Sequence, residues 1–321
     1  MVRIGFVGVG GIAQEHLEAI RKSGLGIIVA VCDIVHETVK CVAEKYQATP
    51  YTDYIEMLEK EVLDALYVCV PPFAHNDIEE LAAGKGIHLF VEKPLGLDMP
   101  IVERKEEAIK QSGIIHASGY CLRYLDIVQE AKEYLYDKKI AMIDGYYFTS
   151  FVQTPWYRQM NRSGGQLVEQ STHIVDLVRY LAGEDVSSVY ASMALNVSYD
   201  IEGIDIYDVG SVNLNFLSGT IGHVSTTFTQ PDHRTSVEVQ GKDFRIQIID
   251  FKTLCIVEKD NVIERKTNMN FYFEQDVTFL TAVREKNQRL IRSSYSDGLQ
   301  TLKITLAANE SSKSNEVIKL Y

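Results

Sequence analysis

The sequence predicts an α/β protein: a doubly wound parallel sheet, then an α+β domain built on a large, mostly antiparallel, open sheet. Three observations carry this. Short apolar runs alternate with amphipathic helical segments over the first third of the chain. A glycine-rich turn separates the first run from the first helix. Beyond residue 120 the rhythm changes to strand-like runs divided by polar or Gly-containing turns.

Arg3–Val7 reads as the first strand and Gly8–Gly11 as the turn after it. Ile12–Ser23 is a helix with Ile12, Leu17 and Ile20 on its inner side. Ile27–Cys32 is an unbroken apolar strand, the mark of burial on both faces. Helices at Val35–Tyr46 and Tyr54–Lys60 lead to a third strand, Ala65–Val70, which Pro71 and Pro72 stop. Asn76–Lys85 is helical, His88–Glu92 is a strand, Asp98 caps a helix over Pro100–Gln111, and Ile114–Gly119 closes the series. In the second part a helix at Asp126–Tyr136 leads into a strand at Ala141–Phe151, and one long helix spans Gln166–Leu181. Strands follow at Val186–Val197, Tyr207–Phe216, Thr220–Phe228, Ser236–Gln240, Phe244–Ile249 and Thr253–Val257. Helices at Gln275–Glu285 and Asp297–Ser311 end the chain. The expected domains are residues 1–120 and 121–321, with the last helix (297–311) able to dock on either.

A length of 321 residues suits two domains of ordinary size. Acidic residues outnumber basic ones, 44 to 32, for a net charge of −12. That argues against electrostatic capture of nucleic acid or an anionic membrane. Five cysteines, an odd number with no CxxC pair, form neither a disulfide framework nor a zinc motif, and no metal site is expected. The N-terminus has no long apolar region with a cleavage site, and no run reaches the length of a membrane helix. A reducing cytoplasm fits these features best.

Gly8-Val9-Gly10-Gly11-Ile12-Ala13 follows a strand and opens a helix. Gly8 permits the tight turn, Gly10 lets backbone approach a pyrophosphate, and Ala13 is small enough for close helix–strand packing. The helix N-terminus offers Gly11 and Ile12 amides to an anion. Asp33 ends the second strand, 25 residues after Gly8, where a carboxylate can accept both adenosine ribose hydroxyls. It would repel a 2′-phosphate, and Ile34 follows rather than an arginine, so NAD(H) is expected in preference to NADP(H).

Three further constellations stand out. Pro71-Pro72-Phe73-Ala74-His75 is a stiff loop at a strand end, and His75 either caps the next helix or contacts the cofactor. Glu92-Lys93-Pro94 ends the next strand, with Pro94 setting the turn, possible as a cis bond. Glu92 and Lys93 are therefore cofactor-site candidates, and Lys93 an acid–base group, against the plainer reading of a surface lysine. In Gly164-Gly165-Gln166-Leu167-Val168-Glu169-Gln170-Ser171-Thr172-His173, Glu169, His173 and Asp176 form one stripe of a continuous helix. That stripe is either a solvated face or a carboxylate-oriented imidazole. Trp156, Tyr157 and Arg158 precede it as an aromatic–cationic cluster suited to a polyol or sugar; Trp156 and Arg158, with Arg123, are the candidates for binding it.

Taken in this order, GVGGIA with Asp33, PPFAH, VEKPL and GGQLVEQSTHIVDL resemble the Gfo/Idh/MocA oxidoreductases over essentially the whole chain. The resemblance implies a Rossmann domain and a second domain whose open sheet forms a homodimer or homotetramer. It implies NAD(P)-dependent hydride transfer at a secondary hydroxyl of a sugar, sugar acid or cyclitol. Lys93 matches that family's EKP lysine, His173 its catalytic histidine, Glu169 its usual aspartate, and Asp176 the acidic residue after the histidine. Lys93, Glu169 and His173 would then contact substrate. Ser171 stands where the family often has glycine and would add a hydroxyl to the pocket. The alternatives are a glycosidase using NAD transiently and a dinucleotide or sugar sensor without turnover.

Overall fold

The computed structural model describes residues 1–321. In chain order the first elements are β1 (Val2–Val7), α1 (Gly11–Ser23), β2 (Gly26–Cys32), α2 (His36–Tyr46), β3 (Thr49–Tyr51), α3 (Tyr54–Lys60), β4 (Ala65–Val68), α4 (Ile78–Gly84), β5 (His88–Val91), α5 (Met99–Ser112) and β6 (His116–Ser118). Next come α6 (Asp126–Tyr134), β7 (Ile140–Phe148), α7 (Met160–Ser163), α8 (Gln166–Glu169), α9 (Thr172–Ala182), β8 (Val186–Ala194), β9 (Val209–Phe216), β10 (Ile221–Thr227), β11 (Arg234–Gly241), β12 (Phe244–Ile249), β13 (Thr253–Glu258) and β14 (Asn261–Lys266). The chain ends with α10 (Phe271–Glu285), α11 (Tyr295–Ser314) and β15 (Ile318–Lys319).

Two units result: residues 1–121 with 270–299, and residues 122–269 with 300–321. The expected division at 120 is thus corrected at the C-terminal end, because α10 returns to unit 1. The reason is apolar burial. Phe6, Tyr67 and Phe90 stack across β1, β4 and β5 at 4.8 and 4.7 Å. Phe279 of α10 closes edge-on against Tyr67 and Phe90, at 5.5 and 5.6 Å. Phe279, Leu280 and Ala282 are fully buried there, an arrangement that removes a large apolar area from water.

Unit 1 carries a six-stranded sheet in the order β3-β2-β1-β4-β5-β6, parallel throughout. The order reverses between β1 and β4, where such sheets open a crevice at their carboxyl ends. The turn after β1, the proline loop after β4 and the Lys93 turn after β5 therefore follow three adjacent strands. The short edge strand β3 escapes the sequence pattern because Pro50 sits at its centre.

Unit 2 carries a nine-stranded sheet, β14-β13-β12-β11-β7-β10-β9-β8-β15, with β7 and β10 parallel and the other pairs antiparallel. One face packs on α9. A Cβ on Gly145 would lie 2.4 Å from Ile174, so glycine lets the helix sit against β7. The opposite face presents Asp144, Tyr146, Phe148, His223 and Glu238 around an open cavity of about 280 Å³. The strand β14 was not expected, since its mostly exposed residues show no apolar alternation. No helix is long and apolar enough to cross a membrane.

The expected continuous helix over 166–181 is interrupted. It runs as α8 and α9 with a break at Gln170 and Ser171. The Ser171 amide donates five residues back, to the Gln166 carbonyl at 2.9 Å, which widens one turn. The Ser171 hydroxyl pairs with that of Thr226 in β10, anchoring the widened turn to the sheet.

Candidate active site

The turn after β1 is built around Gly8, whose φ is +85°. A Cβ there would also lie 2.5 Å from the Cys69 carbonyl oxygen, so no other residue fits. Gly10 caps α1, and Gly10 and Gly11 have open space where a Cβ would stand. The helix has no side-chain cap and no acidic residue in its first turn. Its leading amides, from Gly11 and Ile12 on, are thus left to an anion such as a pyrophosphate. Ala13 is fully buried in the core cluster that also holds Val2, Ile4 and Phe6 of β1.

Asp33 is more constrained than the sequence suggests. One carboxylate oxygen accepts the Val9 N–H at 3.0 Å and the other accepts the Val35 N–H at 2.9 Å. It therefore ties the glycine turn to the end of β2. Each oxygen keeps a second lone pair, enough to accept ribose hydroxyls. Ile34 beside it is 91% exposed. These groups fit an adenine dinucleotide.

The proline loop forms a short 3-10 turn at Pro72–Ala74, preceded by the half-buried Pro71. His75 is buried. Its Nδ1 lies 2.5 Å from Glu79, one turn on in α4, and Lys105 of α5 reaches the other Glu79 oxygen at 2.8 Å. Burial works to raise Glu79, but His75 and Lys105 outweigh it and hold the carboxyl below its ordinary value. The His75 Nε2 is buried without a hydrogen-bond partner.

Lys93 is half-buried and its peptide bond to Pro94 is cis. Glu92 departs from its expected cofactor role. It is buried, with one oxygen 3.0 Å from His16 Nε2 and the other accepting the Lys93 N–H at 3.0 Å. Its carboxylate points into the core because β5 alternates faces at its end.

In unit 2 the structure separates the expected stripe. Glu169 and His173 are both half-buried, on either side of the widened turn, so they no longer stand one helical turn apart on a single helix. Asp176 is not on a wet face at all. It is 1% exposed and accepts Arg123 through both oxygens, at 2.8 and 2.6 Å, and the Thr301 hydroxyl at 2.9 Å. Arg123, 2% exposed, also lies 4.6 Å over the Tyr180 ring. Asp176 and Arg123 are thus corrected from catalytic and substrate-binding candidates to a buried pair within the fold. Burying both charges is tolerable only because the pairing is bidentate.

Two other expectations change. Ser171 is fully buried against Thr226, so its hydroxyl is not a pocket group. Arg158 donates to the backbone carbonyls of Glu202 and Gln153, at 3.0 and 3.4 Å, and so braces loops. Trp156 packs beside an apolar cluster of Tyr157, Ile206 and Phe228.

Tyr157, expected in the aromatic–cationic cluster, is buried, and its partner Gln170 was not singled out from the sequence. The Tyr157 hydroxyl donates to the Gln170 side chain at 2.7 Å, and burial followed by the Glu169 charge pushes the phenol well above its ordinary value. Sequence reasoning missed His16. Its position on the apolar face of α1, with Ala13, Leu17 and Ile20, was the available signal.

Residues 2–120 match the model of an oxidoreductase family with an NAD-binding Rossmann fold, and residues 138–247 match the GFO/IDH/MocA C-terminal domain. Myo-inositol 2-dehydrogenase of Thermotoga maritima is 26% identical over 331 aligned positions, covering 99% of this chain and 98% of its own. The scyllo-inositol 2-dehydrogenase (NAD(+)) of Bacillus subtilis is 29% identical over 255 positions, covering 77% of this chain and 73% of its own. A probable dehydrogenase from T. maritima superposes with a TM-score of 0.86 at 25% identity over 99% of both chains. Levoglucosan dehydrogenase in complex with NADH and levoglucosan superposes with a TM-score of 0.90 over 99% of both chains, and at 18% identity that likeness speaks for the fold alone.

Proposed function

The chain belongs to the GFO/IDH/MocA family of NAD-binding oxidoreductases, and from that premise we propose that it transfers hydride between NAD(H) and a secondary hydroxyl or ketone of a cyclitol, sugar or sugar acid. The observation that carries the reading lies in unit 1. An uncapped helix N-terminus, a ribose-competent Asp33 and the turn bearing Lys93 all follow strand ends of one parallel sheet. The inositol dehydrogenases among the relatives support a polyol as the substrate class.

The residues divide the work as follows. The amides after Gly10 bind the pyrophosphate, and Asp33 accepts the ribose hydroxyls while disfavouring a 2′-phosphate. Bound nicotinamide supplies the hydride acceptor, or the donor in reverse. The Lys93 ammonium hydrogen-bonds the reacting oxygen and stabilises the negative charge that develops there. His173 takes the hydroxyl proton, and Glu169 serves as a hydrogen-bonding partner for the polyol or the imidazole. The face of the unit 2 sheet that carries Tyr146 and Phe148 is assigned to a homodimer or homotetramer contact.

The test is a panel of cyclitols, aldoses and sugar acids mixed with NAD⁺ or NADP⁺ and followed by near-ultraviolet absorbance. A rise with a polyol and NAD⁺ is expected. A flat panel from a protein that binds NADH tightly, with cleavage of aryl glycosides, would replace this reading with a redox-neutral glycosidase.

A further inference from the structure

Behind the Lys93 turn, unit 1 buries three ionisable side chains from three distant parts of the chain. His16 of α1 and Asp276 of α10 are fully buried, and Glu92 is 4% exposed. His16 Nδ1 is 2.9 Å from both Asp276 oxygens, and its Nε2 is 3.0 Å from Glu92. Burial raises the Asp276 carboxyl, and the His16 imidazole opposes that rise. With both carboxylates ionised and so only accepting, a ring bonded at both nitrogens carries two protons. Burial opposes that charge, but Asp276 and then Glu92 outweigh it and push the imidazole up to about 10. Tyr67 of β4, Phe90 of β5 and Tyr272 of α10 stand around the ring, and the Cys69 thiol is raised by burial and then by the charges of Glu92 and Asp276.

The other oxygen of Glu92 accepts the Lys93 N–H. The carboxylate also fills the space beside Gly119, where a Cβ would lie 2.6 Å from it. One chain of hydrogen bonds thus runs from α10 through His16 and Glu92 to the backbone amide of Lys93. Neither ring nitrogen of His16 nor either oxygen of Glu92 lacks a partner along it.

We propose that His16 is a positioning residue for Lys93, acting through Glu92 and anchored by Asp276. The inference rests on the assignment of Lys93 to the reacting oxygen. The triad does not touch substrate; it fixes where the turn presents the ammonium. A displacement of about 1 Å at a reacting group can cost about 10²-fold in rate.

The experiment uses the full chain and four variants: His16→Gln, Gly119→Ala, Lys93→Met and the His16→Gln/Lys93→Met double. Gly119→Ala pushes on the Glu92 carboxylate while leaving all three ionisable groups in place, and so serves if His16→Gln does not fold. With the polyol identified by the panel, kcat is expected to fall roughly 10- to 100-fold in His16→Gln and in Gly119→Ala. NADH affinity and the polyol KM should stay within about threefold, and a His16→Gln/Lys93→Met double variant should lose little beyond Lys93→Met alone. A fall in kcat with the Lys93-independent rate reduced equally would overturn the proposal. Hydrogen–deuterium exchange of the peptide spanning residues 92–96 gives a readout independent of activity. Faster exchange there than in the rest of unit 1 supports the connection, and unchanged exchange in both His16→Gln and Gly119→Ala overturns it. Should no polyol react, the assignment of Lys93 fails while the exchange data still decide whether His16 holds the turn.

Discussion

Asp33 accepts the Val9 and Val35 amides on its two oxygens, so substitution there acts on the glycine turn as well as on the ribose. Asp33→Asn is expected to weaken NADH binding by about 10- to 150-fold, the worth of a hydrogen bond to a charged group, and NADPH binding by much less. Equal losses in titrations of the two cofactors would show that Asp33 serves only the turn. Asp176→Asn leaves Arg123 with half its partner. Breaking a buried pair costs about 3–5 kcal/mol, so its denaturation midpoint should fall sharply. A folded variant of normal stability with a defect confined to turnover would restore Asp176 to the chemistry. Gly8 and Asp33 were legible because short-range spacing defines them. The inward turn of Asp176 was not, because its partner Arg123 lies 53 positions away.

At the scale of elements, hydrophobic period placed most strands and helices to within a few residues. It could not show the widened turn between α8 and α9, which depends on Thr226 of β10, nor the return of α10 to unit 1. Phe279 on α10 closes the aromatic stack of β1, β4 and β5. Phe279→Ala should cost about 3–5 kcal/mol in urea unfolding, against less than 1 kcal/mol if α10 were merely a surface helix. The α1–α10 link through His16 has a pH signature. With its imidazole raised to about 10, its stabilisation is complete below the unfolded value, near 6.5, and is lost as pH rises through about 10. Wild-type stability should therefore fall by up to about 1.4 kcal/mol per pH unit within that window from this group alone. Cys69 adds a fall of the same sign, because its thiol titrates first in the unfolded chain. The His16 part is the difference from His16→Gln, and parallel pH curves for the two proteins would refute it.

For the whole molecule, the two-unit organisation and the open sheet followed from the change of rhythm near residue 120, whereas chain return at 270–299 depends on packing that no local pattern encodes. The Tyr146 and Phe148 rings stack at 4.7 Å on the sheet face opposite α9. If that face joins copies, light scattering should give a dimer or tetramer, and Tyr146→Glu should shift it toward monomer; a wild-type monomer at every concentration would refute the assembly. The proposed activity requires hydride to leave a carbinol carbon, and one measurement reads that step directly. The polyol selected by the panel, deuterated at that carbon, is incubated with NAD⁺ and the wild-type protein or Lys93→Met, and the reduced cofactor is weighed by mass spectrometry. Wild type should yield deuterium-labelled NADH, with Lys93→Met slower by roughly 10²- to 10⁴-fold. Unlabelled NADH, or equal rates from the two proteins, would rule out hydride transfer from the carbinol carbon assisted by Lys93.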